Sequence, residues 1–130
     1  MTAALLDSNV VIRFLVVNNR VQSEAAWKLF SRTDVQLVLP DTVLAEVVWT
    51  LSSHYKVERK ILARQLRLLL ETPSLKGNLR LLDAALELFG SRSIDYVDAY
   101  LAALSLHEKI PVYSWDKDFD KLKGVTRLQP

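Results

Sequence analysis

The sequence predicts an α/β domain: a three-layer sandwich with a central parallel sheet of four or five strands and helices on both faces. Three observations carry that prediction. Apolar runs are short and closed by an acid or a proline, as in Ala-Ala-Leu-Leu-Asp7 and Val-Gln-Leu-Val-Leu-Pro-Asp41. The segments between them repeat apolar residues at helical spacing. No internal repeat, low-complexity tract or Gly/Ser linker interrupts residues 1–130, so one domain is expected.

Taken in order, Ala3 to Leu6 reads as a buried strand stopped by Asp7. Ser8 or Asn9 caps a helix through Val10, Ile12, Phe14 and Leu15 that ends near Asn18-Asn19, and a second helix runs from about Ser23 to Arg32. Val35 to Leu39 is the second strand, ended by Pro40, after which Asp41 caps a helix carrying Val43, Leu44, Val47, Val48 and Leu51. Glu58 to Glu71 is a long amphipathic helix closed by Thr72-Pro73. A third strand is expected around Asn78 to Leu82, with Asp83 opening the next helix. Asp95 to Leu106 is a further helix, and Pro111 to Ser114 a fourth strand.

Composition narrows the chemistry. Half of the residues are apolar, which suffices for a sizeable core, and cysteine is absent, so disulfides and thiolate metal sites are excluded. Asp7 interrupts the first apolar run where a signal peptide needs continuity, and no run approaches the roughly 20 residues of a membrane span. A cytoplasmic protein without membrane attachment is expected. Net charge is +2, too mild to indicate a nucleic-acid partner alone. Lys56, Arg59, Lys60, Arg64 and Arg67 cluster with Glu58 as the single acid among them. They are either a solvated helix face or a phosphate-attracting stripe.

Four acids stand out by position. Asp7 follows the first strand and Asp116 the fourth, and ligands of open α/β sheets bind beyond the carboxyl ends of strands. Glu46 interrupts an apolar helical segment, and Asp98 does the same in Asp95-Tyr-Val-Asp-Ala-Tyr-Leu-Ala-Ala. Each has a plain alternative. Asp7 and Asp116 can cap helical turns, Asp95 and Asp98 have capping-box spacing, and Glu46 can pair with an arginine. If the four converge, two like charges about 4 Å apart repel by roughly 4 kcal/mol at an effective dielectric near 20. Such a cluster raises its pKa values or recruits a cation. Oxygen donors without His or Cys favour Mg²⁺ or Mn²⁺. His54 and His107 fall at helix C-termini, where a cation suits the dipole, and are read as structural.

The stretches LLDSNVVIRFL, LAEVVWTL, DYVDAYLAA and VYSWDKDF resemble, in order, the four acidic motifs of PIN-domain ribonucleases of the VapC toxin type, from Leu5 to Phe119. The resemblance implies that Asp7, Glu46, Asp98 and Asp116 are catalytic metal-site acids, Asp7 and Asp98 above all as direct ligands. Asn9 would orient ligands or waters. Ser114 stands where the family usually has threonine, and Asp118 and Asp95 match frequent secondary acids. The implied reaction is metal-assisted, in-line hydrolysis of RNA, leaving 5′-phosphate and 3′-hydroxyl ends.

The implied partners are an RNA substrate, a cognate antitoxin and a second copy of the chain in a dimer or higher assembly. The broad apolar surface of the Glu58–Glu71 helix, from Ile61 to Leu70, suits either a partner or the core; Trp27, Trp49 and Trp115 are open in the same way. Two other readings compete. A haloacid-dehalogenase-like phosphatase would use Asp7 as nucleophile but needs a second aspartate where this chain has Asn9. A non-catalytic PIN-fold interaction module is expected to have lost at least one of the four acids.

Overall fold

A computed structural model describes residues 2–130. Its first unit is a parallel sheet, β1 (Thr2–Leu5), β2 (Val35–Val38) and β3 (Leu75–Lys76), in the order β1-β2-β3. Thr2 aligns with Val35 and Leu37 with Leu75. Six helices flank it: α1 (Ser8–Leu15), α2 (Arg20–Ser31), α3 (Asp41–Ser53), α4 (Arg59–Leu69), α5 (Leu79–Ser91) and α6 (Tyr96–Glu108). The α/β architecture with a parallel sheet is as the sequence predicts.

The remaining strands, β4 (Val112–Tyr113) and β5 (Arg127–Leu128), pair in parallel as a separate two-stranded sheet. They do not extend the first sheet, and this corrects the expectation of a single sheet. It also explains why β1 is not the buried strand its apolar sequence predicts. With β2 on one edge and no strand on the other, all four of its residues are exposed, Leu5 at 77%, and only Leu6 beyond it is buried.

The other differences come from local chemistry. Asn19 caps α2 by accepting from the Gln22 N–H at 3.1 Å, so that helix starts three residues earlier than Ser23. Residues 79–82 are helical rather than extended, because Leu79, Leu82 and Leu86 repeat at helical spacing and share the core face of α5. The third strand is instead the short Leu75–Lys76. Gly77 ends it with φ +147°, and a Cβ there would lie 2.7 Å from the Leu39 carbonyl oxygen. Gly77→Ala should therefore cost about 2–3 kcal/mol, from strain plus a clash with backbone that cannot swing aside. The expected readout is a lower urea midpoint with an unchanged m-value.

One continuous core joins the helices to the sheet, with Val11, Leu44, Val47, Leu62, Leu66, Leu82, Leu86, Ala99 and Ala102 fully buried. On α4, Leu62, Leu66 and Leu69 face this core while Ile61 and Leu68 stay exposed, so most of its apolar surface is core. Trp27 is half-buried and its indole N–H donates to the Phe14 carbonyl at 3.0 Å; Trp49 and Trp115 are exposed. Among the described residues, no helix is long and apolar enough to cross a membrane.

The basic run is divided: Lys60, Arg64 and Arg67 line one groove between α4 and α5, and Arg59 turns away from it. The Arg59 guanidinium donates from Nη1 to the carbonyls of Phe89 (2.8 Å) and Ile94 (2.6 Å) and lies 4.3 Å from the Phe89 ring centroid. Arg67 pairs with Asp83 across α4 and α5 at 2.9 Å. Two of its five cations are thus committed to internal contacts.

Candidate active site

Asp98 lies in the first turn of α6, half-buried. Burial raises its pKa above the ordinary carboxylate value, and the charges of Asp116, Asp95 and Asp118 raise it further. The helix N-terminus favours a carboxylate at this place, yet desolvation and like charge outweigh it. The chain thus brings residues from α6 and from the segment after β4 into one negative cluster.

Each neighbour is held by its own local geometry. Asp95 occupies the N-cap position of α6, but its side chain makes no capping hydrogen bond, so the capping-box alternative fails and the carboxylate is free. Asp116 starts a short 3-10 turn (Lys117–Lys121), and its Oδ1 accepts from the Asp118 N–H at 2.9 Å. The Asp116 N–H donates to the Ser114 hydroxyl oxygen at 2.9 Å, so Ser114 fixes the bend that delivers Asp116. Asp118 shares a narrow crevice with Asp98, Ile94, Phe119 and Leu122, and accepts from Lys121 at 3.3 Å.

Neither Asp7 nor Glu46 is among the charges that raise Asp98. Asp7 is exposed, and its Oδ1 accepts from the Ser8 N–H at 2.7 Å, capping α1. Asn9 lines the groove between α1 and α2 with Arg13 and Gln22. Glu46 is exposed on α3, among buried Leu44, Val47 and Val48. Its apolar neighbours in sequence had suggested a buried carboxylate; the helix turns Glu46 outward instead.

Among the described residues, no three His, Cys, Asp or Glu side chains gather closely enough to cage a metal ion. The donor chemistry is nevertheless that of a hard cation: carboxylate oxygens, of which Asp95 and Asp98 have no ion pair. Magnesium retains several waters and takes one or two carboxylates plus substrate phosphates, so an open site on Asp98 and Asp116 fits its habits where a closed cage does not.

Sequence reasoning missed the fastening behind the site. Asp41, assigned to helix capping, accepts instead from the Tyr100 hydroxyl of α6 and from Asn78 Nδ2 at 3.3 Å. It thereby ties α3 to α6. The hydrogen bond to Asp41, burial and the Asp41 charge push the Tyr100 hydroxyl up to about 12, so it remains a donor at neutral pH. The available signal was Tyr100 itself, a hydroxyl on an otherwise apolar helix face that needs a partner when covered.

No curated relative matches the chain. The PIN domain family matches residues 4–125, nearly its full length, and PIN domains are commonly nucleases. The span from β1 through the segment beyond β4, with Asp7, Glu46, Asp98 and Asp116 inside it, makes this chain a member of the PIN domain family.

Proposed function

We propose that the chain is a metal-dependent ribonuclease that hydrolyses RNA phosphodiester bonds and serves as the toxin of a toxin–antitoxin pair. The observation that carries this reading is the cluster around Asp98, whose carboxyl is held above the ordinary value by burial and by the charges of Asp116, Asp95 and Asp118. Asp98 and Asp116 are the acids that would hold Mg²⁺ or Mn²⁺, with Asp7 and Glu46 as the other acids of the proposed site. A divalent ion there supplies an acidified water and neutralises charge on the attacked phosphate.

The chain's own residues position these groups. Ser114 and the Asp118 N–H fix one side of Asp116 and leave Oδ2 free, and the Asp7 cap likewise leaves that residue's Oδ2 free. Asp95 and Asp118 add negative potential that strengthens cation binding. Burial of Asp98 lowers the local dielectric and strengthens each of these interactions.

Incubation with single-stranded RNA should give 5′-phosphate products in Mg²⁺ or Mn²⁺ and none in EDTA. Asp116→Asn and Asp7→Asn should each slow cleavage by about 100-fold or more, since charge stabilisation by a metal is worth several kcal/mol. Cleavage that persists in EDTA overturns the metal requirement. Expression in a bacterial host should arrest growth, with Asp116→Asn relieving the arrest. Normal growth with an active wild-type enzyme would remove the toxin role and leave the nuclease.

A further inference from the structure

The segment that carries Asp116 hangs from a slender support. β4 and β5 pair over two residues each in a sheet of their own. The Val112 N–H donates to the Thr126 carbonyl at 2.9 Å and the Ser114 N–H to the Leu128 carbonyl at 3.0 Å. A two-stranded ribbon is marginal in water without further contacts. Beyond Ser114 the chain bends into the short 3-10 turn, and its next buried anchors are Phe119 and Leu122.

A side chain of β5 supplies the further fastening. Arg127 donates from Nη1 to the Ser114 carbonyl at 3.0 Å, and from Nε and Nη2 to the two carboxylate oxygens of Asp120 at 3.0 and 3.2 Å. Its side chain is only 11% exposed, whereas that of Asp120 is 51% exposed. Ser114 and Asp120 bound the stretch that contains Asp116 and Asp118, so one planar guanidinium closes that stretch into a loop. Pairing with both oxygens of a carboxylate fixes orientation as well as distance. The Asp120 charge also offsets that of Arg127, so the fastening adds little positive field beside the acidic cluster. Ser114 is thereby pinned at three atoms: its N–H on Leu128, its carbonyl under Arg127 and its hydroxyl oxygen under the Asp116 N–H.

We propose that Arg127 is a positioning residue for Asp116: joined to the Ser114 carbonyl and to Asp120, it holds the loop so that the Asp116 carboxylate stays beside Asp98 before any cation binds. The inference rests on the nuclease reading, in which Asp98 and Asp116 hold the metal. Magnesium and manganese sites with few carboxylates depend on the mutual placement of those carboxylates, and a loop free to swing would lose it. Arg127 is not a phosphate contact, because each of its three side-chain nitrogens already donates within the clamp.

The test uses the full chain. Mn²⁺ titration followed by electron paramagnetic resonance reads cation affinity without RNA, and cleavage of single-stranded RNA in Mg²⁺ gives kcat and KM. Arg127→Ala should weaken Mn²⁺ binding by about 10-fold and lower kcat by roughly 10- to 100-fold, the range for a group displaced by about 1 Å, with KM changing by less than about 3-fold. Arg127→Lys should recover only part of both, because one ammonium cannot span the carbonyl and both carboxylate oxygens. Asp120→Ala should act in the same direction by a smaller factor. The double variant should be no worse than Arg127→Ala, as expected of two groups acting through one contact.

Circular dichroism identifies the folded variants, and Asp120, exposed on its turn, carries the test if Arg127→Ala does not fold. Wild-type Mn²⁺ affinity and kcat in Arg127→Ala, or in Asp120→Ala in that case, would overturn the clamp while leaving the nuclease standing. Additive losses in the double variant would overturn it too. So would a raised KM at constant kcat with the salt slope of RNA binding reduced by about one, which would make Arg127 a phosphate contact. Mn²⁺ affinity that depends on Arg127 in a protein that cleaves RNA in no metal would remove the nuclease and keep the clamp as part of a cation site. A wild-type chain that neither binds Mn²⁺ nor cleaves RNA would remove both.

Discussion

Asp98→Asn is expected to slow RNA cleavage by about 100-fold or more while raising the melting temperature of the metal-free protein. The second half of that expectation follows from the direction of the Asp98 shift. Burial first, and then Asp116, Asp95 and Asp118, hold its carboxyl above the ordinary value. A group whose folded pKa exceeds its unfolded one binds its proton more readily in the native state. Its stabilising contribution is complete below the unfolded value and is lost as pH rises through the folded value. Above that folded value the ionised carboxylate works against folding. Asparagine keeps the shape and removes the charge, so the variant melts higher at neutral pH, and the gap narrows on acidification as Asp98 takes up its proton.

Metal reverses the order. Mg²⁺ should raise the wild-type melting temperature by mass action on the native state and raise that of the variant less. Thermal melts at neutral and acid pH, with Mg²⁺ or EDTA, check all of this. A variant that melts at or below wild type in EDTA at neutral pH would show that Asp98 is not electrostatically strained. An ordinary structural acid would behave in that way, and a catalytic one held for function would not, because strain at a site is tolerated only where it serves one.

Residues whose surroundings lie close in the chain were the legible ones. Pro40 follows the end of β2, α4 lies within the expected Glu58–Glu71, and the apolar stripe of α3 is buried as its spacing implies. Asp98 and Asp116 could be picked out because one interrupts an apolar helical segment and the other follows a strand end, whereas Asp95 and Asp118 entered through the resemblance alone. What the sequence could not supply was pairing at a distance. The apolar run of β1 reads the same whether a strand lies on both its edges or on one, and the absence of β4 from its outer edge is a tertiary fact. Asn78 to Leu82 has leucines that suit a strand or a helix, and packing against α4 decides for the helix. Glu46 looked buried because its neighbours are apolar, but a helix turns successive side chains about 100° apart, enough to bring one residue out among buried ones. The partners of Asp41 and Arg59 lie from 30 to 59 residues away, and no local pattern announces them.

Arg59 shows how far such a distant partner changes the reading of a residue. Within a run of cations it looks like a phosphate contact, but its guanidinium holds the end of α5 and the loop into α6 against the first turn of α4. Two charge-assisted hydrogen bonds at about 1.5–3 kcal/mol each, and a cation–π contact of about 0.5–2, are lost together in Arg59→Ala. The contributions overlap, so a net loss of about 3–4 kcal/mol is expected, a fall in melting temperature of roughly 10 °C for a domain of this size. Arg59→Lys keeps the charge but lacks the planar group that stacks on Phe89 while Nη1 donates to two carbonyls, and should recover less than half of the loss. Measured under conditions where both proteins are folded, the salt dependence of RNA binding by Arg59→Ala should match wild type. A phosphate contact would instead reduce the slope by about one when removed. A flattened slope with an unchanged melting temperature would reassign Arg59 to the RNA. The expected opposite, a steep loss of stability at constant slope, leaves Lys56, Lys60 and Arg64 as the members of the run free to meet phosphate, since Arg67 is already paired with Asp83.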